Sequence, residues 1–135
     1  GLEFQILDAA HKDFKLGVDG NRRIGSLYDL ITPENLSELQ RNIIKNKSLS
    51  YKLRSKGPNQ WNKARIIVED GNVEHWLNNI LVVKYDRFSQ TFKNLVKKSK
   101  FFEKKGFGIA NEGRILLQDH HPGDIKFKNI KIREL

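Results

Sequence analysis

An antiparallel β-sandwich with one or two inserted helices is the fold class that this sequence predicts, on three observations. Asp70-Gly71 and Asn78-Asn79 both tolerate positive φ, and each is flanked by alternating apolar runs, the pattern of two tight hairpins. Alternating segments also stand near both ends of the chain, "LEFQIL" and "DIKFKNIKI". Only "TPENLSELQRNIIKNK" and "SQTFKNLVKKSK" space their apolar residues as helices do, so strands dominate. With 135 residues, the chain is long enough for one compact domain, 1–135, and too short for two.

Taken in order, "LEFQIL" places Leu2, Phe4 and Ile6 on one face and Glu3, Gln5 and Leu7 on the other. A chain that opens on strand alternation has the look of one cut from a longer protein. A polar stretch leads to a short strand, "SLYDL". Thr32 suits a helix N-cap, Pro33 the first helical position, and Leu36, Leu39 and Ile43 form an apolar stripe. Strands at about 61–69, 72–77 and 80–85 then form a meander whose register follows from its two-residue loops. Pairing Val68 with Val73 sets Ile66 opposite His75, and pairing Leu77 with Ile80 sets His75 opposite Val82. Ile66, Val68, Val73, His75, Leu77 and Val82 thus form a core face, while Trp61, Arg65, Glu74, Trp76 and Tyr85 share the other.

A second helix carries Phe88, Phe92, Leu95 and Val96 at helical spacing, with lysines at the end that the macrodipole favours. "RILLQDH" follows as a strand, and then "DIKFKNIKI", whose parity slips near Asn129 as at a bulge.

Lys and Arg outnumber Asp and Glu by 25 to 16, for a net charge of +9. The excess lies largely in "VKKSKFFEKK" and "IKFKNIKIREL", which read as solvated faces and not as one nucleic-acid groove. The chain has no cysteine, so disulfides, thiolate metal sites and cysteine nucleophiles are excluded. No membrane span, signal peptide, phosphate-binding loop, dinucleotide fingerprint or serine-hydrolase elbow is legible.

The polar residues at strand ends carry the chemistry. Gln118 and His120 stand two apart at the end of an apolar run, as Glu3 and Gln5 do. Carboxylate, imidazole and carboxamides together suit proton transfer and hydroxyl binding; the competing reading is a polar sheet face in water. His75, set among valines and isoleucines, reads first as a hydrogen-bonded core histidine. Trp61 and Trp76 beside Arg65 would suit a sugar ring or a single strand, or simple coverage by a loop.

"GLEFQILD", "GSLYDLI", "WNKARIIVEDGNVEHWLNN", "FKNLVKKSKF", "GRILLQDH" and "FKNIKIREL" occur in the order found in the 3-keto-disaccharide hydrolase family, which this chain resembles over nearly its whole length. The resemblance implies a concanavalin A-like jelly roll, common in Bacteroidetes and exported to the periplasm or cell surface. Family members have further strands before the first of these motifs, so the chain corresponds to the C-terminal two-thirds of the domain. "NLSELQRNIIKNKSLSYKLRS" is longer than the family's connector, Arg114 stands where a histidine is often found, and "HHPGD" replaces a shorter turn.

The implied reaction cleaves a 3-keto-glycoside by proton abstraction at carbon 2, elimination at carbon 1 and water addition. On that resemblance His120 is the base, with Glu3 orienting it or replacing it, and Asp8, His75 and Asp119 stand in reserve. Gln5, Gln118, Arg65 and Tyr28 would hold hydroxyls or the enolate oxygen, and Trp61 and Trp76 would form a shelf. The partner is an oxidised disaccharide or glycoside, with no role for nucleic acid. No cofactor is required; a divalent metal is compatible with the carboxylates and histidines, but no spacing demands one. A non-catalytic, lectin-like sugar-binding module is the alternative.

Overall fold

The computed structural model describes residues 1–6, 21–22, 24–33, 56, 59–119 and 125–135. Its centre is a three-stranded antiparallel sheet in the order β1-β2-β3, with β1 Ala64–Glu69, β2 Asn72–Leu77 and β3 Ile80–Asp86. Both hairpins close as the dipeptides predict. Asp70, Gly71, Asn78 and Asn79 all have positive φ (46°, 86°, 51° and 66°), the twist that matches adjoining strands. The expected pairs Val68–Val73, Ile66–His75 and Leu77–Ile80 are present.

The register departs from expectation at one point. A shift between His75 and Trp76 sets Trp76 opposite Leu81 but His75 opposite Val83, not Val82. This bulge adds one residue to β3 and reverses the parity of everything after it. Val83 and Tyr85 therefore join the His75 face, and Tyr85 does not share a face with Trp76 as its position in the sequence suggested. Val82 and Val83 are both fully buried as a result (0% and 1% exposed).

"SLYDL" is not a full strand. Leu27 makes isolated bridges to Phe4 and to Ile31, and residues 27–31 close on themselves through Leu27 N–Ile31 O and Ile31 N–Leu27 O bonds of 3.1 and 3.0 Å. Asp29, with φ of 62°, makes this reversal. The turn buries Leu27, Leu30 and Ile31 together, which strict alternation would forbid. "LEFQIL" likewise contributes one bridge, at Phe4.

Helix α1, Gln90–Lys97, starts where Ser89 accepts a hydrogen bond from Phe92 N and ends with Lys97 in its last turn. Phe92 is its buried anchor. The core joins Leu27, Leu30 and Ile31 to Val73, Val83, Tyr85 and Phe92. Rings run through it in file: Phe4 to His75 at 4.9 Å, His75 to Tyr85 at 5.9 Å, Tyr85 to Phe92 at 5.5 Å. Gly25, at φ of 84°, lets its loop press onto Val82, where a Cβ would lie 3.0 Å from Cγ2.

The two C-terminal strands expected from sequence form no ladder among the described residues. Alternation prepares a segment to be a strand, but a ladder needs a neighbouring backbone. Asn129, where the parity slips, does have positive φ (54°). The helix expected from Thr32 onward lies outside the described residues beyond Pro33.

Candidate functional site

The Phe4–Leu27 bridge sorts the N-terminal candidates by face. Phe4 packs tilted against His75 and Leu27 enters the core, so both point at the sheet. Their neighbours alternate to the opposite side. Tyr28 N donates to Glu3 O at 3.0 Å and Gln5 N to Ser26 O at 3.1 Å, which sets Glu3 across from Tyr28 and Gln5 across from Ser26. Three predicted site residues, Glu3, Gln5 and Tyr28, are thereby brought together. The Gln5 side chain is buried, and its Oε1 finds no hydrogen-bond donor among the described residues. A buried acceptor of that kind is most economically satisfied by a hydroxyl or water.

Around Tyr28 lies a charged cluster. Lys100 Nζ donates to the Tyr28 hydroxyl at 3.2 Å and sits 4.2 Å from the ring centroid. It also lies 3.4 Å from Asp29 Oδ2, while Arg22 Nε donates to Asp29 Oδ1 at 2.8 Å. Burial alone would raise the Asp29 carboxyl, but the Arg22 hydrogen bond and the two cations outweigh it and hold it below the usual carboxylate range. The same hydrogen bond raises the Arg22 guanidinium above its ordinary value. Lys100 and Arg22 are absent from the candidates that the sequence offers. Lys100 lies in a lysine run that reads as a solvated face, and only its position two residues past the α1 cap Lys98 sets it apart.

The indole group lies elsewhere. Arg65 and Trp76 face each other across β1 and β2 on the side of the sheet away from His75, with the guanidinium 4.6 Å from the indole. Trp76 Nε1 donates to Glu74 Oε2 at 2.9 Å and Lys84 Nζ to Glu74 Oε1 at 3.0 Å; the hydrogen bonds from Lys84 and Trp76 keep the Glu74 carboxyl below its ordinary range. Trp61 is half exposed, with Lys128 Nζ 3.9 Å from its ring. The core separates Arg65 and Trp76 from Glu3, Gln5 and Tyr28.

His75 is buried, and its Nδ1 lies 3.0 Å from Gly25 O. Burial lowers its pKa to about 4, against the raising effect of its hydrogen bonding to the backbone of Gly25 and Ser26. Gln118 and Asp119 lie in an exposed segment, and Asp8 and His120 fall outside the described residues. An open groove of about 310 Å³ lies on the His75 face, lined by Leu2, Phe4, Ile66 and Val68 and also by Arg87 and Glu112. Tyr85 lines it; its hydroxyl has no partner among the described residues, and burial pushes the phenol above its ordinary pKa. Among the described residues no three His, Asp or Glu side chains converge on a metal-sized site, and no helix is long and apolar enough to cross a membrane.

Comparison with known proteins places these features in a family. A curated relative from Bacteroides thetaiotaomicron, named 3-keto-disaccharide hydrolase, is 34% identical over 146 residues; the match covers 98% of this chain and 43% of the relative's length. A solved structure of a candidate glycosyl hydrolase from Parabacteroides distasonis is 22% identical, with a TM-score of 0.48 over 66% of this chain and 32% of that one. Residues 1–133 match the family described as the 3-keto-alpha-glucoside-1,2-lyase-like domain, and the chain belongs to that family.

Proposed function

We propose that this domain belongs to a hydrolase that cleaves 3-keto-glycosides or 3-keto-disaccharides by elimination and hydration. Family membership supports the substrate class. The observation that carries the site is the gathering of Glu3, Gln5, Tyr28 and Lys100 on the outer side of the Phe4–Leu27 bridge. A ketone at carbon 3 acidifies the proton on carbon 2. Glu3 accepts that proton, Tyr28 holds the enolate oxygen, and the electron pair returns to expel the substituent at carbon 1. Water then adds to carbon 1 and a proton to carbon 2, so the net change is hydrolysis without the paired carboxylates of an ordinary glycosidase. Gln5 receives a sugar hydroxyl at its unpartnered oxygen. His120 competes with Glu3 for the role of base, and Asp8 and Asp119 remain its reserves.

The packing of the Phe4–Leu27 bridge on the sheet supports a concanavalin A-like sandwich as the complete architecture. Export to the periplasm or cell surface goes with this reading.

The test is proton NMR in heavy water with a 3-keto-glucoside, and with the unoxidised disaccharide as control. Release of the leaving group with deuterium entering carbon 2, from the keto sugar alone, is the expected result. Glu3→Gln should stop the exchange while His120→Ala keeps it; the reverse pattern moves the base to His120. Binding of unoxidised sugar with no product would instead favour a lectin-like module, for which half-exposed Trp61 is the first candidate contact.

A further inference from the structure

Lys100 is half exposed (47%), yet its ammonium is held by partners distant in the sequence. Its ammonium lies 3.2 Å from the Tyr28 hydroxyl and 3.4 Å from Asp29 Oδ2, although "KKSKFF" and Tyr28 are 72 residues apart in the chain. An ammonium carries donors only, so the phenol oxygen must accept from Lys100. The one proton of Tyr28 is then left to point at some other acceptor. Asp29 fixes this arrangement: one carboxylate oxygen meets Lys100 and the other accepts from Arg22 Nε at 2.8 Å. The carboxylate is largely buried (11% exposed), and its backbone is held by Asp29 N donating to Asn21 O at 3.0 Å.

We propose that Lys100 is a positioning residue for the reaction above, acting through Tyr28; the inference rests on the keto-glycoside reading. Lys100 fixes the Tyr28 hydroxyl as a donor directed at the carbon 3 oxygen and brings positive charge to the place where negative charge develops. The proton leaves carbon 2 for Glu3. Its electron pair forms the carbon 2–carbon 3 double bond, and the carbonyl pair moves onto the carbon 3 oxygen, opposite the Tyr28 O–H. Tyr28 keeps its proton throughout, and no oxidant or reductant enters.

The experiment compares Lys100→Met, Lys100→Arg, Tyr28→Phe and the Lys100→Met/Tyr28→Phe double variant in steady-state turnover of a 3-keto-glucoside. Tyr28→Phe keeps the ring under the ammonium, so its fold is secure even if Lys100→Met loosens the loop. Each single loss should lower kcat by about 100-fold, the scale for one oxyanion donor, with little change in KM. The double variant should be no worse than the weaker single, because both remove the same interaction. Lys100→Arg, which keeps the charge and the donors, should recover most of the loss. Full kcat in Lys100→Met, or losses that multiply in the double variant, would overturn the inference. A wild-type chain that neither exchanges carbon 2 nor releases product would instead remove the keto-glycoside reading itself, an outcome visible without any variant.

Discussion

His75 shows how burial decides what a titratable residue can do. Its Nδ1 faces the Gly25 carbonyl, which can only accept, so Nδ1 carries the proton, and burial keeps the ring neutral at pH 7. It packs between Phe4 and Tyr85 as a core side chain. The folded pKa near 4, below the ordinary 6.5, fixes the sign of its effect on stability. The unfolded chain binds a proton as pH falls through about 6.5 and the folded chain does not until about 4, so stability is full above that window and lost across it. The whole displacement corresponds to on the order of 3 kcal/mol, and the chain should be about 2 kcal/mol less stable at pH 4.5 than at pH 7. Urea unfolding at a series of pH values checks this, and His75→Gln should flatten the profile between 6.5 and 4. Asp29 and Glu74, whose carboxyls sit below the ordinary range, begin to lose their partners' support only as pH falls through ordinary carboxylate values, so the upper part of the His75 window is free of their contribution.

At the scale of elements, the start of α1 rests on few bonds. Ser89 Oγ accepts from Phe92 N at 3.1 Å and donates to Asp86 O at 2.7 Å, joining the helix cap to the last residue of β3. Ser89→Ala should cost about 1 kcal/mol in urea unfolding. A loss much smaller than this would mean that the helix is held by Phe92 alone. Both hairpins were legible in the sequence because each depends on residues within four positions of one another. The bulge was not. "ILVV" in β3 places four apolar residues in succession, so a one-residue slip leaves no mark on the pattern, and Tyr85 changes face without any local sign. "SLYDL" misled because it is too short to carry a period: its leucines stand three apart, and Asp29 in a left-handed conformation turns the segment into a reversal. Glu3, Gln5 and Tyr28 could be chosen as site residues from the sequence, but their partner Lys100 is 72 residues from Tyr28 and sits in a lysine run. Only the fold separates that lysine from its neighbours.

For the whole molecule, the apolar surface is unevenly covered. Val73 and Val83 on β2 and β3 lie beneath Leu27 and its neighbours, whereas Ile66 and Val68 on the same face of β1 remain 53% and 52% exposed. β1 is also a sheet edge, with one side of its backbone unpaired among the described residues, and the chain spans 43% of the length of its curated relative. Threonine at these positions measures how much cover each side chain has in solution, since it keeps the branched shape and adds a hydroxyl that burial penalises. Val83→Thr should cost about 1–3 kcal/mol, and Val68→Thr under about 0.5 kcal/mol, in parallel urea titrations. Equal losses at the two positions would mean that β1 is covered by further apolar surface in solution. Sedimentation across a range of concentrations would then tell a second copy, whose cover is lost on dilution, from another segment of the same chain, whose cover is not.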